Sequence, residues 1–291
     1  MIFKGSCVAL STPFNNDGVN RTAFEKLVEF QISEGTDALL VCGTTGEPST
    51  MTAEEKKDAI ECVVTAAAGR VPVVAGIGGN NTQSCIHWAK TAGDLGADAL
   101  LAVTPYYNKC SEAGLVAHFT AIADASARPV ILYNVPSRTC VNIGPATAEK
   151  LSLHPNIAGI KEASGNISQI AETARRTAGK MDLYSGNDDQ IQPLLSLGGL
   201  GVVSVLANIM PRYTHDLVYT YLAGNTAKAC EMQLNILPLV SALFCEVNPV
   251  PVKTALRLMG HDMGALRLPL CEMTAANLDN LKEQLSLFSL I

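Results

Sequence analysis

Short apolar, β-branched runs alternate with longer amphipathic stretches through most of this chain. The runs predict strands at Cys7–Leu10, Ala38–Cys42, Val71–Gly76, Ala99–Val103, Val130–Asn134, Ile157–Lys161, Asp182–Ser185 and Gly201–Ser204. Helices are predicted between them, at Arg21–Glu34, Ala53–Ala68, Asn81–Leu95, Ser111–Ala125, Pro145–Leu151, Ile167–Thr177 and Asp188–Leu197. Alternating β and α implies parallel strands covered by helices. Eight such strands point to an α/β (β/α)8 TIM barrel rather than an open doubly wound sheet. One echo supports repetition. Gly35-Thr36-Asp37-Ala38-Leu39-Leu40 and Gly96-Ala97-Asp98-Ala99-Leu100-Leu101 enter their strands with the same turn chemistry. Thr52 with Glu55 has the spacing of a capping box.

After about Ala207 the alternation stops. Pro211–Leu222, Thr226–Phe244, Val252–Met259 and Ala275–Leu287 read as helices with no strand between them. The first completes the barrel. The expected division is therefore a catalytic barrel over residues 1–224 and a C-terminal helical appendage over residues 225–291. Such an appendage must pack on the barrel or on another subunit to cover its apolar face.

With 291 residues, 48% of them hydrophobic, the chain can build one large core. Net charge is −6, with no basic block, so nucleic acid is not an expected partner. No stretch approaches the roughly 20 apolar residues of a membrane span, and the start lacks a signal-peptide pattern. The nine cysteines are scattered, with no Cys-x-x-Cys pair, which points to reduced thiols and a cytoplasmic setting. The five histidines have no metal-ligand spacing, and no metal is expected.

In a barrel of this kind, chemistry comes from the C-terminal ends of strands and the loops beyond them. Lys161 closes the sixth predicted strand. Among apolar neighbours an ammonium loses hydration, which favours the free amine, and an amine forms Schiff bases with carbonyls. The competing reading is a solvated lysine, or one paired with Glu162. Gly43-Thr44-Thr45-Gly46-Glu47 follows the second strand and suits a tight, anion-binding loop or an ordinary turn. Tyr106 and Tyr107 follow the fourth strand as packing or interface residues. Tyr133 ends the fifth strand, either as an acid or base at the barrel mouth or as a core residue. Arg138, five residues on, either clamps a carboxylate or is a solvated charge. Asp188 reads as a helix N-cap in preference to a catalytic group. Taken together, these residues describe a Schiff-base enzyme for a keto acid, with a second carboxylate-bearing substrate. Gly76-Ile77-Gly78-Gly79-Asn80 is a poor match to a dinucleotide fingerprint.

Five blocks carry a family resemblance: Cys42 to Glu47, Thr104 to Lys109, Tyr133 to Thr139, Ile160 to Gly165 and Tyr184 to Asp188. Over essentially its whole length the chain resembles the dihydrodipicolinate synthase family. That family lies in the class I aldolase superfamily that includes N-acetylneuraminate lyase. The resemblance implies a lyase of lysine and diaminopimelate biosynthesis. Pyruvate and L-aspartate 4-semialdehyde would be joined to give 4-hydroxy-tetrahydrodipicolinate, with no cofactor. Lys161 would form the imine with pyruvate. Thr44 and Thr45 would hold its carboxylate, Thr45 partly through its backbone N–H. Tyr133 would move protons, with Thr44 and Tyr107 completing the relay. Tyr107 would reach in from a neighbouring subunit of a homotetramer built as a dimer of dimers. Arg138 would bind the carboxylate of the semialdehyde, and Gly186 and Val203 would line the pyruvate pocket.

Arg138 favours the synthase branch over an aldolase acting on sialic or other sugar acids, where an apolar residue is expected at its place. Two positions depart from the family pattern. Cys140 stands where glycine is expected. Lys56 and Ser84 stand where lysine-inhibited members carry histidine and glutamate, although Asn80 and Tyr106 are retained. Losing a carboxylate and gaining a cation predicts weak or absent inhibition by lysine.

Overall fold

A computed structural model describes residues 1–291. The strands are β1 (Gly5–Ala9), β2 (Phe14–Asn15), β3 (Gly18–Val19), β4 (Ala38–Val41), β5 (Val73–Gly76), β6 (Ala99–Val103), β7 (Val130–Asn134), β8 (Ile157–Glu162), β9 (Asp182–Ser185) and β10 (Gly201–Ser204). The helices of the alternating region are α1 (Arg21–Ser33), α2 (Ala53–Ala67), α3 (Thr82–Asp94), α4 (Glu112–Ala125), α5 (Pro136–Thr139), α6 (Pro145–Leu151), α7 (Ile167–Thr177), α8 (Ile191–Leu195) and α9 (Pro211–Leu222). Then come α10 (Thr226–Leu243), α11 (Val250–Leu258) and α12 (Ala275–Leu287).

Eight parallel strands close in the order β1-β10-β9-β8-β7-β6-β5-β4, the barrel expected from the alternation. Side chains alternate across each strand. One set points inward: Cys7, Ala9, Ala38, Leu40, Val74, Ala99, Leu101, Ile131, Tyr133, Tyr184 and Val203 share one buried cluster. The other set meets the helices in a larger cluster, which also takes in Ile236 and Leu239 of α10, Val252 and Leu256 of α11, and Leu281 of α12. Each such aliphatic side chain contributes about 1.5–3 kcal/mol by leaving water. The helical tail thus shares its core with the barrel.

The sequence echo is a structural device. At both positions a glycine with positive φ, Gly35 at 85° and Gly96 at 95°, ends a helix. Two residues later an aspartate locks onto the preceding barrel strand. Asp37 donates its N–H to the Ser6 carbonyl and accepts from the Ser6 N–H at 2.7 Å. Asp98 does the same with Val73, at 2.8 Å. The capping box is also present: Thr52 Oγ1 accepts from Glu55 N–H, and the Glu55 carboxylate accepts from Thr52 N–H.

Some boundaries move for identifiable reasons. The expected strand at Val71 starts at Val73, because Pro72 has no N–H to give to a ladder. The expected helix Asp188–Leu197 is broken. A 3-10 turn covers Asp188–Gln190, and α8 restarts at Ile191 so that Pro193 falls in a first turn. Likewise α11 begins at Val250, with Pro251 in its first turn. The β2–β3 hairpin and the single-turn α5 have no period to read and were not expected. No helix is long and apolar enough to cross a membrane.

Candidate active site

Lys161 is 5% exposed on β8, in register with Tyr133 of β7 on one side and Tyr184 of β9 on the other. Its Nζ lies 4.2 Å from the centre of the Tyr133 ring. The face of an aromatic ring attracts a cation, so the pair is held together electrostatically as well as by the ladder. Glu162 is not its partner. One residue on, it points away from Lys161, accepting from Asn134 Nδ2 at 3.0 and 3.1 Å and from Ser164 N–H at 2.7 Å. Burial pushes the Glu162 carboxyl above its ordinary range, against these hydrogen bonds.

Gly186 explains itself by proximity. A Cβ there would stand 2.7 Å from the Ala163 Cβ and 3.0 Å from the Lys161 Cε. Only a residue without a side chain lets the loop after β9 close over the lysine. Val203, on β10, is 2% exposed and faces the same interior.

The loop after β4 is a tight 3-10 turn, Thr44–Gly46. Thr45 is buried and Thr44 is half-buried. The turn ends on Glu47, a non-glycine residue with φ 57°. That conformation is disfavoured for a side-chain-bearing residue, and here the surroundings enforce it. Glu47 Oε1 accepts from Lys253 Nζ at 2.7 Å, with both side chains fully buried. Lys253 also donates to the Ala265 carbonyl, and its Nζ lies 4.4 Å from the Phe14 ring centre. The Arg267 guanidinium lies 3.9 Å from the same ring centre and pairs with Glu55. The hairpin, the 3-10 turn and the C-terminal region are thereby locked together.

A cavity of about 350 Å³ opens at this end of the barrel. Thr44, Tyr133 and Arg138 line it, together with Lys56, Asn80, Ser84, Trp88 and Tyr106. Thr45, Lys161, Gly186 and Val203 lie outside its lining. Tyr107 does not enter this chain's cavity: it is 93% exposed, with φ 69°. Arg138, on α5, donates Nη2 to the Asn248 carbonyl at 3.3 Å. Cys140 closes α5 at φ 55°, and its N–H bonds to the Pro136 carbonyl at 2.9 Å. The turn is thus preserved with cysteine in a glycine-type conformation.

Asp188 caps an element other than its own. Its Oδ2 accepts from the Val205 and Leu206 N–H groups at 3.0 and 2.9 Å, anchoring the turn after β10. Asn187, not Asp188, occupies the cap position of the 3-10 turn that follows β9. Burial raises the Asp188 carboxyl above its usual range, opposed by those donors and by the charge of Lys161.

Sequence reasoning missed Asn248 and the Glu47–Lys253 pair. Asn248 lies in a proline-rich stretch far along the chain, yet its Nδ2 donates to Thr45 Oγ1 at 3.1 Å. The only available signal was polar residues, Asn248 and Lys253, within an otherwise apolar segment. No group of three His, Cys, Asp or Glu side chains lies close enough to hold a metal ion.

Residues 2–287 match the model of the dihydrodipicolinate synthetase family. A protein of Thermoanaerobacter pseudethanolicus named 4-hydroxy-tetrahydrodipicolinate synthase is 54% identical, over 100% of this chain and 98% of its own length. One of the same name from Clostridium tetani is 54% identical, over 100% and 99%. Among solved structures, the dihydrodipicolinate synthase of Thermotoga maritima superposes with a TM-score of 0.98 at 38% identity, over 100% of both chains. The chloride-inhibited dihydrodipicolinate synthase of Acinetobacter baumannii, complexed with pyruvate, gives 0.97 at 42% identity, also over 100% of both.

Proposed function

The chain belongs to the dihydrodipicolinate synthetase family, and from that premise we propose how its barrel mouth carries out the family's reaction. The enzyme is a lyase of the class I aldolase type. It condenses pyruvate with L-aspartate 4-semialdehyde to 4-hydroxy-tetrahydrodipicolinate, in lysine and diaminopimelate biosynthesis.

In the proposed mechanism the Lys161 amine adds to the pyruvate C2 carbonyl, and water leaves as the iminium forms. The iminium withdraws electrons, so the methyl group gives up a proton and becomes an enamine carbon. That carbon attacks the aldehyde. The amino group of the second substrate then adds to C2, the Lys161 amine departs, and the ring is closed. Tyr133 carries protons in these steps. Its support is the 4.2 Å approach of Lys161 Nζ to its ring and its place in the cavity lining. Thr44 extends the relay, and Thr44 and Thr45 receive the pyruvate carboxylate. Arg138, at the outer rim, takes the carboxylate of the semialdehyde. Gly186 and Val203 complete the wall around Lys161.

Tyr107 points outward from its own chain, which supports a role in a neighbouring subunit's relay and hence a homotetramer arranged as a dimer of dimers. A cytoplasmic location is part of the same proposal. So is the division into a catalytic barrel, residues 1–224, and a bracing helical region, residues 225–291. The observation that carries the reading is the buried Lys161 in register with Tyr133 at the barrel mouth. Formation of the cyclic product from the two substrates by the purified chain tests it. Cleavage of a sugar acid in place of that condensation would favour the other aldolase branch.

A further inference from the structure

Asn248 touches both halves of the site from outside the barrel. It sits between α10 and α11 and is 7% exposed. Its side-chain Nδ2 donates to Thr45 Oγ1 at 3.1 Å, and its main-chain carbonyl accepts from Arg138 Nη2 at 3.3 Å. Its Oδ1 is buried with no hydrogen-bond partner. A buried acceptor left unpaired works against folding and calls for an explanation. Packing alone would be served at least as well by a side chain without that oxygen. The amide is used for its N–H.

A hydroxyl accepts hydrogen bonds and donates one. With Asn248 donating to Thr45 Oγ1, the single Thr45 hydrogen is left free for a different acceptor. We propose that Asn248 is a positioning residue: its side chain aims the Thr45 hydroxyl hydrogen at the pyruvate carboxylate, while its carbonyl holds the Arg138 guanidinium. One residue of the helical region thus sets the two carboxylate sites in register. This rests on the reading in which Thr45 receives pyruvate and Arg138 receives the semialdehyde.

The isosteric change Asn248→Asp reverses the bond. The Thr45 hydroxyl would donate to the new carboxylate and be lost to the substrate. The main-chain carbonyl, and with it Arg138, stays in place. The expected result is a rise in KM for pyruvate of about tenfold or more, with KM for L-aspartate 4-semialdehyde changed by less than about twofold. Asn248→Ala should move KM for pyruvate in the same direction, and it serves if the aspartate variant does not fold. Combined with Thr45→Val, its effect should coincide with that of Thr45→Val instead of multiplying it. Borohydride trapping at Lys161 adds a readout that a general loss of structure would fail. The pyruvate concentration giving half-maximal adduct should rise in step with KM. Trapping of hydroxyacetone, a ketone without a carboxylate, should be unchanged. Unchanged pyruvate dependence in both variants, or a parallel loss of hydroxyacetone trapping, overturns the proposal while leaving the imine reading intact. No pyruvate adduct in the unsubstituted enzyme overturns both.

Discussion

Lys161 and Tyr133 are register partners on adjacent barrel strands, and the lysine nitrogen stands 4.2 Å from the centre of the tyrosine ring. The ladder fixes the pair, because both residues lie on the inward-facing set of their strands. A nucleophile and a proton carrier are therefore held side by side by backbone pairing, which is more rigid than a loop. The phenol ring packs in the barrel and the hydroxyl remains for chemistry.

Replacing Tyr133 with Phe separates those two functions. The ring, its packing and its contact with Lys161 persist, so the thermal midpoint should hold. Turnover should fall by about 10²–10⁴-fold, the usual contribution of a positioned acid or base. Steady-state kinetics beside a melting curve check this. Turnover within twofold of the original would remove Tyr133 from the relay.

Glu47 and Lys253 form an ion pair with both side chains sealed from solvent. Removing one partner leaves a buried charge unmatched. Lys253→Met should cost about 3–5 kcal/mol in denaturant unfolding, and adding Glu47→Gln should restore much of it. A single substitution costing less than about 1 kcal/mol would show that the pair does not hold the 3-10 turn in place.

Glu55 gives a pH signature. The Arg267 guanidinium holds its carboxyl below the ordinary value of 4.5, with the Thr52 N–H as a further contributor. The folded state thus binds this proton less readily than the unfolded chain. The stabilisation is complete above 4.5 and is lost as pH falls through the lowered folded value. Glu55→Gln keeps the capping-box geometry and removes the charge. It should lower stability at neutral pH by on the order of 1 kcal/mol and have little effect in strong acid. Melting curves at both pH values test this. Equal deficits at the two would contradict it.

Lys56 and Ser84 line the same cavity as Tyr133, together with Asn80 and Tyr106, and the Lys56 ammonium lies 5.3 Å from the Trp88 ring centre. A cation already lines that cavity, and no carboxylate stands in its lining to meet an amino group. Lysine at sub-millimolar concentration should leave the rate unchanged. Marked inhibition in an initial-rate assay would show that other groups bind it.

The barrel was legible because short continuous apolar runs and helical periodicity report burial, which this fold imposes on both faces of its strands. Lys161 and Tyr133 were legible for the same reason, since each is a polar residue near a strand end that interrupts an apolar run, whereas Gly186 and Val203 came only with the family resemblance. What escaped was set by tertiary contact. The Glu47–Lys253 pair links residues 206 positions apart, and Asn248 reaches Thr45 across 203. No local spacing encodes such pairings. Asp188 shows the intermediate case. Its capping chemistry was readable, but the capped turn belongs to a different strand end.

The central claim is that Lys161 forms an imine with pyruvate, and borohydride reduction followed by peptide mapping tests it most directly. The expected result is a pyruvate-dependent mass increase confined to the peptide carrying Lys161, absent in Lys161→Ala. No adduct, or an adduct on a different lysine, would contradict the account.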